Sequence, residues 1–137
     1  MAHNFKLFPE LTNTQMQFYY FESPHRQITE NFSAKVVEVH DGDTVKVMWR
    51  ERNFEFRVRL SFIQAPELDE VGGTESRDWL KDRIEGQEVE IQVDPFNRVG
   101  KWGRLIGDII FGGESMSEAQ MRDGRARNIN EVVFDVA

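Results

Sequence analysis

Between positions 37 and 60, apolar residues recur at every second position through three consecutive runs, which commits this stretch to sheet. Val37 and Val39 form the first run, Val45, Val47 and Trp49 the second, and Phe54, Phe56, Val58 and Leu60 the third, with Glu55, Arg57 and Arg59 interleaved in the last. A period of two puts one set of side chains on a buried face and the other on a solvated one. Asp41-Gly42 separates the first two runs and polar Arg50-Glu51-Arg52-Asn53 the next two. Both are turn-forming and short enough for antiparallel hairpins.

The period then changes. Thr74 can cap a helix with Glu75 in its first turn, and Trp79, Leu80 and Ile84 give that helix one apolar face before Gly86, which predicts a helix over about 74–85. Val89, Ile91 and Val93 make a fourth alternating run. Leu105 to Phe111 makes a fifth, closed by Gly112-Gly113. Ser115 to Glu118 has the spacing of a capping box, with Gly124 where a helix C-terminus favours glycine. The order β-β-β-α-β-β-α predicts an α+β fold: a five-stranded Greek-key β-barrel with helices, of the OB-fold type.

At 137 residues one core is expected. Lys+Arg 17 against Asp+Glu 24 gives a net charge of −7, the wrong sign for holding nucleic acid by bulk charge, so any phosphate binding must be local. The absence of cysteine excludes disulfides, thiolate metal sites and cysteine nucleophiles, and leaves the compartment open. The first thirty residues carry Lys6, Pro9, Glu10, Glu22 and Pro24, with no continuous apolar run fit for a signal core or membrane span.

The chemistry-bearing residues are the acidic turn Asp41-Gly42-Asp43-Thr44, then Arg59, Pro66-Glu67 and Gly103-Arg104. Two acids flanking a glycine can bring oxygens onto a hard divalent cation, and two arginines with one further carboxylate meet the needs of phosphodiester cleavage. Each piece has a plainer reading when taken alone. Asp41 and Asp43 would shape a hairpin turn, Arg59 would be a solvated strand residue, and Glu67 a loop charge. His40 reads as a polar strand end, because hard oxygen sites rarely recruit imidazole. Arg122, Arg125 and Arg127 read as a solvated helix end.

Together, Asp-Gly-Asp-Thr, Val58-Arg59-Leu60 leading to Ala65-Pro66-Glu67, and Lys101-Trp102-Gly103-Arg104 resemble the thermonuclease family, the staphylococcal-nuclease-like domains, from about Phe32 to Arg127. The resemblance implies metal-dependent hydrolysis of DNA or RNA phosphodiesters with little base preference, on single-stranded DNA or RNA. It implies Asp43 as direct Ca2+ ligand, with Mg2+ or Mn2+ as competitors, Asp41 acting through water, and Thr44 ordering the water shell. Arg59 and Arg104 would grip the phosphate, and Glu67 would activate or position the water. The family carries an aspartate two positions before the proline, where this chain has Gln64. An amide oxygen can still ligate, with one negative charge fewer, so weaker cation binding is expected. An alternative reading is a weakened or inactive nucleic-acid or protein-binding module.

The substrate pocket departs too. Trp102 stands where a tyrosine is common and can stack on a base, beside Lys101, whereas Asn128-Ile129-Asn130 supplies no second aromatic wall. Two parts are expected: an extension at 1–31 and the barrel domain at 32–137. Phe5, Phe8, Phe18, Tyr19, Tyr20 and Phe21 are too many aromatics for a disordered tail, so most are expected to be buried, with the extension packed on the barrel or on a second copy in a homodimer.

Overall fold

A computed structural model describes residues 3–100 and 103–129. Strands β1 (Phe32–Asp41), β2 (Thr44–Met48) and β3 (Glu55–Leu60) form an antiparallel meander. The chain passes through β4 (Ile63–Gln64) and helix α2 (Gly73–Ile84) to β5 (Glu88–Gln92) and β6 (Leu105–Phe111). β5 pairs with β1 and β6, and β6 runs parallel to β3, which closes a five-stranded barrel. Closure needs a glycine where β3 meets β6. Gly107 faces Leu60 in register, and a Cβ there would lie 2.5 Å from Ile91 Cγ2.

Val36, Val45, Val47, Val58, Ile91 and Ile109 fill the barrel, and Leu80 and Ile84 of α2 close it from one side, all fully buried. Each such side chain contributes about 1.5–3 kcal/mol relative to exposure. The expected alternation holds in β2 and β3. In β1 the alternation runs Phe32, Ala34 and Val36 and then skips to Val39, leaving Val37 half-buried, because the register slips at Val37 and again near His40. These two β-bulges bend β1 so that its first half pairs with β5 and its second with β2. His40 is exposed.

Helix α2 begins one residue earlier than expected, and its cap is Gly72, in the left-handed region at φ 85, not the exposed Thr74. The preceding loop decides this. Glu70 N donates to Glu67 O, Gly73 N donates to Glu70 O, and a Cβ on Gly73 would lie 1.9 Å from Glu67 O, so the paired glycines set the entry. After β6, Gly112 and Gly113, both at positive φ, turn the chain into β7 (Glu114–Ser115) and α3 (Met116–Arg122). Ser115 Oγ accepts from Glu118 N, as the capping pattern predicts. β8 (Arg127–Asn128) pairs with β4.

The N-terminal segment packs on the barrel through polar contacts more than through its aromatics. Thr12 and Gln15 form a capping box on α1 (Asn13–Tyr19), which a 3-10 turn (Tyr20–Glu22) follows. Glu10 is buried and pairs with Arg52 and with Arg98, the latter at 2.9 Å, while accepting from Ile28 N at 3.0 Å. Arg52, expected as a polar turn residue, is instead buried over the Trp49, Phe54 and Phe56 rings. The expectation of mostly buried aromatics fails: Phe8, Phe18, Tyr20 and Phe21 are exposed, Phe21 at 98%. Among the described residues, no helix is long and apolar enough to cross a membrane.

Candidate active site

The Asp41–Thr44 turn sits at the barrel rim because β1 and β2 end there, and its conformation is self-capped: Asp41 Oδ1 accepts from Asp43 N at 3.1 Å. Asp43 then points across the rim. Its Oδ2 accepts from Ala65 N at 2.9 Å and lies 3.4 Å from Arg59 Nη2, and its Oδ1 accepts from the buried Thr44 hydroxyl at 3.2 Å. Phe62, at φ 71, reverses the chain between β3 and β4 and so leads Ala65 under the aspartate. Burial first, and hydrogen bonding with Asp41 second, hold the Asp43 carboxyl up at about 6 against the opposing pull of Arg59. A partly desolvated carboxylate held up in this way gains from a positive charge beside it.

That behaviour and the donor chemistry fit a hard divalent cation: carboxylate oxygens at Asp41 and Asp43, with an amide oxygen on Gln64, the residue before Ala65, whose N–H donates to Asp43. Among the described residues no cluster of three His, Cys, Asp or Glu side chains gathers. Gln64 is exposed in a groove with Glu70, Arg125 and Arg127, and its side chain makes no hydrogen bond to either aspartate.

Arg59 lies in register between Thr44 and Ile106, its Nη1 donating to Leu60 O at 2.9 Å. Arg104 immediately precedes Leu105, whose parallel partner is Val58, so Arg104 falls one row along, beside Arg57. Its Nε is buried with no hydrogen-bond partner among the described residues. Arg59 and Arg104 thus share the outward face of β3 and β6, on the same side of the barrel as Asp43. Glu67 stands apart, exposed in the loop before α2 with its backbone N–H donating to Glu70 Oε1. Lys101 and Trp102 lie outside the described residues.

Two supporting residues escaped the sequence reading. Gln120, fully buried, donates from Nε2 to Gly42 O, and Ser76 packs so closely on Gly42 that a Cβ there would lie 2.0 Å from Ser76 Oγ. Ser76 Oγ in turn donates to Arg125 O at 2.8 Å, which ties α2 to the segment after α3. A signal for Gln120 existed: Met116, Ala119 and Gln120 fall at i, i+3 and i+4, so a glutamine occupies the buried stripe of α3.

An OB-type barrel with helices, carrying an acid turn with Arg59 closed on it at one rim, defines the class. A family model described as staphylococcal nuclease homologue matches residues 57–135, and the chain belongs to that family. It is similar to the micrococcal nuclease of Shigella flexneri, 35% identical over 77 residues, covering 56% of this chain and 41% of that protein. It is also similar to an uncharacterized endonuclease of Escherichia coli O157:H7, 33% identical over 94 residues, covering 68% and 58%. The staphylococcal-like nuclease CAN1 of Arabidopsis thaliana is 35% identical over 71 residues, covering 52% and 21%. The chain spans about half the length of these bacterial relatives.

Proposed function

We propose that this protein is a divalent-cation-dependent nuclease that hydrolyses phosphodiester bonds of single-stranded DNA or RNA at the rim formed by Asp43, Arg59 and Arg104. The observation that carries the reading is the Asp43–Arg59 contact at 3.4 Å, which fixes a guanidinium beside a partly buried carboxylate at the end of a barrel. Similarity to proteins named as nucleases supports it.

Arg59 and Arg104 pair their planar forks with the non-bridging oxygens of the phosphate, where charge grows as water attacks. Glu67 accepts the proton of that water as its oxygen bonds to phosphorus and the bond to the leaving sugar oxygen breaks. This requires the loop at 67–70 to bring Glu67 inward when substrate binds. Asp43, Asp41 and the Gln64 amide would hold Ca2+, or Mg2+ or Mn2+, which when bound supplies positive charge at the phosphate and acidifies a water. Thr44 orients the Asp43 carboxylate through its hydroxyl. Lys101 and Trp102, which lie outside the described residues, would add substrate contacts, Trp102 by stacking on a base.

The exposed positions of Gln64 and Glu67 favour a second reading, a nucleic-acid-binding module with weak or no hydrolysis. Incubating single-stranded DNA with the protein and each of Ca2+, Mg2+ and Mn2+, beside Arg59→Ala and Glu67→Ala, separates the two. Cleavage that disappears in both variants supports the nuclease; binding without cleavage supports the module.

A further inference from the structure

The basic side chains gathered near Arg104 are not explained by the site above. Lys46 of β2 and Arg57 of β3 are direct cross-strand partners, and Arg104, just before β6, lines the same cleft, so three positive side chains gather there. Adjacent strands are about 4.8 Å apart, and like charges directly opposite destabilise a sheet. Among the described residues, none of the three takes part in an ion pair, although acids outnumber bases in the chain. Among the described residues, the buried Arg104 Nε also lacks an acceptor.

These side chains face a cleft of about 240 Å³ whose opposite wall is the N-terminal segment, including Lys6, Leu7 and Pro9. Two acids border it. Glu10 is committed to Arg52 and Arg98, which leaves Glu55 on the wall and Glu38, facing Lys46 in register from β1, to offset Lys6, Lys46, Arg57 and Arg104. One row away along the strands, about 7 Å, stands Arg59. The cleft therefore prolongs the phosphate-gripping face beyond the scissile position.

We propose that this cleft is a second phosphate subsite, in which Lys46 and Arg57 hold the phosphate adjacent to the one gripped by Arg59, on a single-stranded nucleic acid chain. The assignment rests on the nuclease reading for its direction along the strand. It does not rest on that reading for binding. The N-terminal segment, outside the matched family region, forms the second wall, so a substrate strand threads between it and the barrel.

The test is fluorescence anisotropy of a labelled single-stranded 12-mer and a dinucleotide, across a salt series, with the wild type and the Lys46→Ala/Arg57→Ala double variant. Removing two opposed like charges relieves repulsion, so the variant keeps or raises its melting temperature. The expected result is roughly tenfold weaker 12-mer binding and a salt slope shallower by about 1–2, with the dinucleotide unaffected. Arg57→Lys restores most of the slope. Unchanged 12-mer affinity and slope in the double variant would overturn the subsite, as would displacement of the 12-mer by poly-glutamate at equal concentration. If the wild type binds as expected yet cleaves nothing, the subsite stands and the nuclease reading falls; normal cleavage with unaltered 12-mer binding by the variant removes the subsite alone.

Discussion

Replacing Glu10 by alanine is the severest single test of how the N-terminal segment is attached. Its carboxylate is 1% exposed and receives Arg52, Arg98 and the Ile28 N–H. Deleting it leaves two guanidinium groups desolvated and facing each other with no counter-charge, and breaking a buried pair in this way typically costs about 3–5 kcal/mol. That is a large share of the roughly 5–15 kcal/mol by which domains are stable. With a urea slope of about 1.5 kcal/mol per molar, the unfolding midpoint should fall by about 2–3 M. The loss extends to the site, because Arg98 lies in the segment leading to Arg104: Arg98 O accepts from Ile106 N and Gly100 N donates to Arg104 O. The Arg26–Glu30 pair, exposed on both sides, is the control, and Arg26→Ala should change stability by less than about 1 kcal/mol. Urea denaturation followed by fluorescence reads both. A Glu10→Ala cost below about 1 kcal/mol would refute the claim that this carboxylate fastens the segment to the barrel.

Other consequences are as direct. Gly107→Ala should destabilise by about 1–3 kcal/mol in the same denaturation assay, since its Cβ would press on Ile91 across the seam between β3 and β6. The Asp43 carboxyl, raised from 3.8 to about 6, binds protons in the native state more tightly than in the unfolded one, so metal-free stability should fall as pH rises from about 4 to about 6. The drop is on the order of 2–3 kcal/mol and should vanish in Asp43→Asn, as thermal melts in chelator would show; a flat profile in the wild type would contradict the assigned burial. Gln64→Asp should tighten Ca2+ binding by roughly tenfold in calorimetry, and no change would mean that position 64 does not face the cation.

The sequence revealed elements whose determinants are local. β2, β3 and the acidic turn follow from a strict period of two and one glycine, and the order of strands and helices around them suffices for the barrel. Contacts between distant segments stayed hidden. The phase of β1 depends on bulges that arise only when one strand must serve both β2 and β5. Thr74 looks like a better cap than glycine until the carbonyl of Glu67 fills the space beside Gly73. Arg52 reads as a turn charge because its partner, Glu10, lies 42 positions away. At the site, Asp43 with Arg59 was legible from motif order, whereas the Gln120 brace on Gly42 O was visible only as a polar residue on an apolar stripe. Glu67, named from its motif, stands exposed at the loop, since nothing in the local sequence specifies the loop's closed form.

A crystal structure with Ca2+ and an uncleavable single-stranded phosphorothioate dinucleotide tests the central claim most directly. The account predicts a cation on the Asp43 carboxylate and the backbone phosphate between the Arg59 and Arg104 guanidinium groups. A phosphate seated elsewhere on the barrel, with Arg59 still closed on Asp43, would contradict it.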